Sequence, residues 1–477
     1  MSRNLLRATA FALISYSNSF TNAQEAIAIP RLVVSVTIDQ LKGNDIDNNK
    51  DFLSENGLRL FLKNGICYKN ISYNFLPSDA SATIASISTG STPYYNGIIG
   101  ESWFDRSMAK ERSCTEDPNY KGVLTDELCS AESILTTTLS DELKYATKKK
   151  GLVYSISANK DFAILTAGHN ANGAYWINKK EGNWCTTTYY ENKIPKWVEK
   201  VNSQQKKGDN KNNRATDLAI ECIKSNSLGD DEITDILYIA YSPDGERCKN
   251  EDEYKKFLSQ TDNNISKLIK AISDNVSLDE VLFIVTGTGY QTYVTDSYKQ
   301  MRYPGGKFYI SRSANLLNMY LGAIYGTDKY ISGFCNNHLY FNNLLIDKKK
   351  IKASEIAYYA KKFLQQCQGV SNVFYCDDIL MPQNSGKNYY KNSYNSKNSG
   401  DIIIETAPGW DIINESSNSR INTSFTTYQT PIIIYGPKIS HETISQPTEI
   451  GSIIESISKI LKIRAPNSCM HSDVEQN

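Results

Sequence analysis

The chain has 477 residues, 40% of them hydrophobic, enough for one large α/β domain with insertions or for two domains with a normal core. Lys plus Arg and Asp plus Glu both total 52, so the formal net charge is zero, and that balance points away from nucleic acid and from anionic membrane surfaces. Lys-rich runs such as Lys148 to Lys150 and Lys348 to Lys350 read as solvated turns or helix ends.

The first residues have the pattern of a secretory signal. Arg3 and Arg7 give a positive start, an apolar segment is centred on Ala8 to Tyr16, and Thr21-Asn22-Ala23 precedes an expected cut ahead of Gln24. A signal over residues 1–23 implies a periplasmic or secreted protein. No later stretch has about 18 consecutive apolar residues, so no membrane span is expected. Export gives the ten cysteines a meaning, because disulfides are permitted outside the cytosol. No two have CxxC spacing, which argues against zinc-ribbon and thioredoxin readings. Cys114 with Cys129 and Cys367 with Cys376 are candidate loop staples, and the spacing leaves the pairing open.

Arg31-Leu-Val-Val-Ser-Val-Thr-Ile38 is a near-continuous β-branched run, suited to a buried parallel strand. It ends at Asp39-Gln40. Ligands of open α/β sheets sit beyond the carboxyl ends of strands, so Asp39 is a site candidate, with helix capping as the alternative. Pro77 to Pro93 reads as the entrance to a helix, with Ser78, Asp79 and Ser81 as capping candidates. The segment from about Tyr94 to Asn213 is rich in polar and aromatic residues and in Cys, and is expected to be a cap or insertion over the sheet. Further strands are expected at Asp235–Ser242, Glu280–Thr286 and Pro431–Gly436, with helical patterns at Glu253–Ser273 and Ile450–Ile463. Asn384 to Ser399 reads as a long surface loop. Strands alternating with helices predict an α/β fold, a mostly parallel sheet covered by helices on both faces.

Several stretches in order along the chain resemble one family. They are RLVVSVTIDQ, STGSTPYYNGIIGESWFD, SISANKDFAILTAGHNANGAYWIN, SLGDDEITDILYIAYSPD, VLFIVTGTGY, SGDIIIETAPGW, TPIIIYG and ISKILKIRAPNSC. Together they are similar to the secreted phosphate-irrepressible alkaline phosphatases of Bacteroidota, in the alkaline phosphatase superfamily and near the nucleotide pyrophosphatase/phosphodiesterases. The resemblance runs from about residue 31 to 469. It implies two zinc ions held by Asp and His at strand ends, a Thr or Ser nucleophile, and an Asn, a Lys and an Arg on the phosphate oxygens.

Measured against that pattern, most of the chemistry is replaced. The nucleophile position is Ala80, whose methyl group cannot attack phosphorus. The Asn position is Glu101, a carboxylate that repels phosphate. Lys160 is kept, but the Arg position is Phe162, so the guanidinium fork is missing. Among the metal positions, Asp39 and Asp244 hold Asp, whereas Gly287, Thr288 and Gln429 stand where the resemblance implies ligands. The chain has only four His, namely His169, His338, His441 and His471. Ser81 is a weak substitute nucleophile, since one step along a helix turns a side chain by about 100°.

The expectation is a pseudophosphatase, catalysis lost and no cofactor held, that acts as a binding or envelope-complex component with an unknown protein or small-molecule ligand in the cell envelope. The alternative is an active divergent phosphatase or phosphodiesterase that uses two zinc ions. A further expectation is that Asp39, Asp79, Glu101 and Asp244 converge and draw in a cation such as Ca²⁺ or Mg²⁺.

Overall fold

The computed structural model describes residues 29–470 except 77–78, 206–207, 245–247, 249, 290–304, 382–388, 416–418 and 422–429. The expected signal segment lies outside the described residues. At the centre are strands β1 (Leu32–Ile38), β2 (Ile66–Ser72), β3 (Val153–Ser157), β4 (Gly173–Ile177), β5 (Trp184–Thr187), β6 (Asp235–Tyr241), β7 (Val281–Gly287) and β8 (Thr430–Tyr435). They form one large sheet in the order β2-β8-β7-β1-β6-β3-β4-β5, with short strands at each edge. From β7 through β4 the pairings are parallel. β8 runs antiparallel to both β7 and β2, and β5 antiparallel to β4.

β1 lies between β7 and β6 and is buried along its whole length. Its side chains alternate between two faces, as a strand's must. Leu32, Val34, Val36 and Ile38 join an apolar cluster with helices α3 (Lys211–Asn226) and α4 (Glu251–Ser273). Val33 packs in a cluster on the other face, which includes residues of α1 (Ala80–Thr89) and α5 (Ile450–Ile460). The remaining helix near the site is α2 (Lys160–Ala167). The expected α/β class, with helices on both faces, is the architecture found.

Two expectations about organisation differ from the structure. Residues 94–213 are not an insertion throughout: 153–187 supplies β3, β4 and β5 to the main sheet, while 102–105 and 110–113 form a separate two-stranded sheet. Their aromatic content has a different cause, since Tyr175, Trp176 and Trp184 are buried in sheet strands. A separate apolar cluster is instead built from residues 308–412, around a four-stranded sheet of 331–335, 338–341, 370–375 and 402–406. Nor is 384–399 a surface loop throughout. Residues 382–388 are outside the described set, but Tyr389–Ser393 is a short helix, and Asn395, Asn398 and Ser399 are buried. Asn398 donates to the Gly97 carbonyl at 2.8 Å, which fastens this segment to the chain after α1.

All ten cysteines are free thiols. Cys114 and Cys129 are both buried in one apolar cluster as separate thiols. Cys367 and Cys376 lie at opposite ends of the extended strand Val370–Tyr375, roughly 20 Å of chain. Neither expected staple forms.

Candidate active site

The sheet register brings three strand ends together. Ile38 pairs with Gly287 on one side and Tyr241 on the other, so the residues that follow, Asp39 among them, share the carboxyl edge where such folds place ligands. Asp39 is buried, with its backbone N–H donating to the Tyr241 carbonyl at 2.9 Å. Its Oδ1 accepts from the Thr288 hydroxyl at 2.8 Å. The same hydroxyl oxygen accepts from the Gln40 N–H at 2.9 Å. Burial pushes the Asp39 carboxyl up to about 6, against the opposing hydrogen bonds from Thr288 and Gln40.

Asp244 is exposed and accepts from the Asn210 side chain at 3.3 Å. Gln429 lies outside the described residues, as do Ser78 and His471.

The second half of the site is the start of α1. Asp79 is the N-cap: its Oδ1 accepts from the Ser81 and Ala82 N–H groups at 2.9 and 3.2 Å, satisfying donors that a helix start leaves unpaired. Its Oδ2 accepts from the Glu101 N–H at 2.6 Å. The capping candidate of the sequence is thus a cap in the structure, and its carboxylate is committed to backbone groups. Ala80 is half-buried and packs against an apolar cluster that contains Phe162, Ile84, Ile99 and Trp103. Ser81 is buried in the first turn. Glu101 is exposed.

At α2, the Asn159 side chain caps the helix, accepting from the Asp161 and Phe162 N–H groups. Phe162 is buried, and Lys160 turns to Glu127 at 3.4 Å. Burial pulls the Lys160 ammonium down, but Asp161 and Glu127 outweigh it and hold the pKa above the usual lysine range. Glu127 also accepts from the Trp176 indole N–H at 2.7 Å.

The four acids named from sequence therefore divide. Asp79 and Glu101 meet through a backbone bond, Asp39 is tied to Thr288, and Asp244 is solvent-facing. Among the described residues no group of three or more His, Cys, Asp or Glu could hold a metal ion, which corrects the expected cation cluster. The three described histidines make other contacts. His169 Nδ1 lies 2.8 Å from Asp141 and its Nε2 3.0 Å from the Ile134 carbonyl. His338 is buried and accepts from the Gly400 N–H at Nδ1, and burial followed by the nearby Arg106 lowers its pKa to about 4. His441 Nδ1 lies 3.2 Å from the Gly65 carbonyl.

A parallel-centred sheet with a capped helix at its carboxyl edge is the frame of an alkaline-phosphatase-like fold. Residues 33–430 match the type I phosphodiesterase / nucleotide pyrophosphatase family, and the chain belongs to it. The alkaline phosphatase PafA of Elizabethkingia meningoseptica is 23% identical, covering 95% of this chain and 96% of its own. The crystal structure of wild-type PafA superposes with a TM-score of 0.84 over 94% of this chain and 99% of that one, at 23% identity. The alkaline phosphatase PhoV of Synechococcus elongatus is 26% identical over 81% of this chain and 82% of its own. Murine ectonucleotide pyrophosphatase / phosphodiesterase 5, as an inactive Thr-to-Ala variant in complex with AMP, shares the fold more loosely. Its TM-score is 0.55 and its identity 12%, covering 91% of this chain and 95% of that one. The family is one of metal-dependent phosphatases, typically of zinc. The donor set among the described residues does not fit a two-zinc centre.

Two features escaped the sequence: Thr288 as the partner of Asp39, and Glu127 as the partner of Lys160. The order of strands in the sheet was the only route to the first. No local signal marks the second.

Proposed function

We propose that this chain is a periplasmic or secreted family member that has given up metal-dependent ester hydrolysis and binds a protein or small-molecule ligand in the cell envelope. The observation that carries the reading is the start of α1. There Ala80 stands where the resemblance implies the nucleophile, and it packs into apolar surroundings with Phe162. The replaced metal positions support the same reading. The murine relative adds a precedent, since its Thr-to-Ala variant is inactive and still holds AMP. Removal of residues 1–23 on export belongs to this proposal. No described helix is long and apolar enough to cross a membrane.

The names of the curated relatives favour a second reading, an active divergent phosphatase. The mature chain, supplied with zinc and assayed on aryl phosphate mono- and diesters, separates the two. We expect no turnover above buffer. Turnover abolished by Ser81→Ala but not by changing the exposed Ser456 would establish the second reading and end the first.

A further inference from the structure

The junction between β1 and β7 is closed by backbone as well as by side chains. A Cβ built on Gly287 would lie 2.3 Å from the Leu41 carbonyl oxygen and 3.0 Å from its carbonyl carbon. No side chain is tolerated that close to a main-chain atom in a packed interior unless something moves.

The obstacle is not a flexible side-chain tip. Leu41 is fully buried, and its carbonyl oxygen accepts from the Gly289 N–H at 3.1 Å. The turn that carries it is held at two further points. Asp39 N–H bonds to the Tyr241 carbonyl, and Gln40 N–H bonds to the Thr288 hydroxyl. Gln40 itself adopts φ 66°, an uncommon left-handed conformation for a residue other than glycine, so the turn is specified by its surroundings.

From this geometry we infer that the Asp39–Leu41 turn and Gly287-Thr288 form a metal-independent lock, in which 287 must be glycine and 288 must carry a hydroxyl. The inference rests on the reading above in one respect: 287 and 288 are taken as the positions where the family places a metal-binding Asp-His pair. An Asp at 287 meets the Leu41 carbonyl, and a His at 288 removes the hydroxyl that joins Asp39 to Gln40. Restoring the two side chains therefore does not restore a metal site, because the turn occupies the ground they need. Reopening it requires the main chain of 39–41 to move as well.

The test compares Gly287→Ala, Thr288→Val, Thr288→Ser and the double variant Gly287→Asp/Thr288→His with the full-length wild type, by thermal unfolding and by zinc calorimetry. Gly287→Ala, a single added methyl, should lower Tm by about 2 °C or more. Thr288→Val should lower it, and Thr288→Ser, which keeps the hydroxyl but loses a buried methyl, should lower it less. The double variant should take up no zinc. A wild-type Tm for Gly287→Ala, or for Thr288→Val, overturns the lock. So does zinc uptake by the double variant when the wild type binds none, and that result leaves the proposed function standing. Two zinc ions held by the wild type itself overturn both. If the double variant does not fold, the single variants decide.

Discussion

The two halves of the site satisfy their polar groups by different means. At the β1–β7 junction the partners are polar: Thr288 bonds to Asp39 and to the Gln40 amide, so the buried carboxyl is hydrogen-bonded from within the chain. At the α1–α2 edge the surroundings are largely apolar: Ala80 and Phe162 enter one hydrophobic cluster, and Lys160 is paired with Glu127. The difference follows from burial. A carboxyl enclosed at a strand end must be hydrogen-bonded or neutral, whereas the edge of a helix layer can be filled with hydrocarbon.

Four experiments press on this contrast. The largest effect is expected for Phe162→Ala, which should cost about 3–5 kcal/mol if the edge is held by packing. Chemical denaturation measures it, and a cost below about 1 kcal/mol would show the ring to be dispensable.

Next is the pH dependence of Asp39. Its folded pKa, about 6, lies above the ordinary 3.8. The folded state thus holds the proton more tightly, and this contribution is fully present below the unfolded pKa and lost as pH rises through about 6. Asp39→Asn should therefore gain on the wild type between pH of about 4 and 6, by at most about 3 kcal/mol, and keep a constant lead above that. His338 titrates in both proteins and cancels from the difference. A gap independent of pH would mean that the carboxyl is not buried in this way.

Glu127→Ala leaves the Trp176 indole and Lys160 without a shared acceptor and should cost about 1–3 kcal/mol. Lys160→Met in the same background should recover part of it, and no recovery would separate Lys160 from the network. The smallest effect is at the helix cap. Asp79→Ala should cost about 1 kcal/mol and Asp79→Asn little. Equal losses for the two would show that charge, not capping, is what Asp79 supplies.

Much of the fold was legible in the sequence because buried parallel strands write themselves as β-branched runs, as in β1, β6 and β7. The direction of β8 was not, since an antiparallel strand with both faces covered reads the same as a parallel one. The span 94–213 misled for a physical reason: Trp176 and Trp184 are large aromatics buried at the sheet's far side, and aromatic content alone does not distinguish that from a cap. In the site, Asp79 was readable as a cap because capping is local. The Thr288–Asp39 bond joins residues 249 positions apart, and no local pattern records it. Ala80 and Phe162 stood out through the family resemblance, while the cluster that unites them is a property of the folded chain.

In the proposed function the chain holds no catalytic metal pair. Elemental analysis of the purified mature protein, after incubation with zinc and desalting, tests it most directly. Well under one zinc per chain is expected, and two tightly held zinc ions per chain would contradict the proposed function.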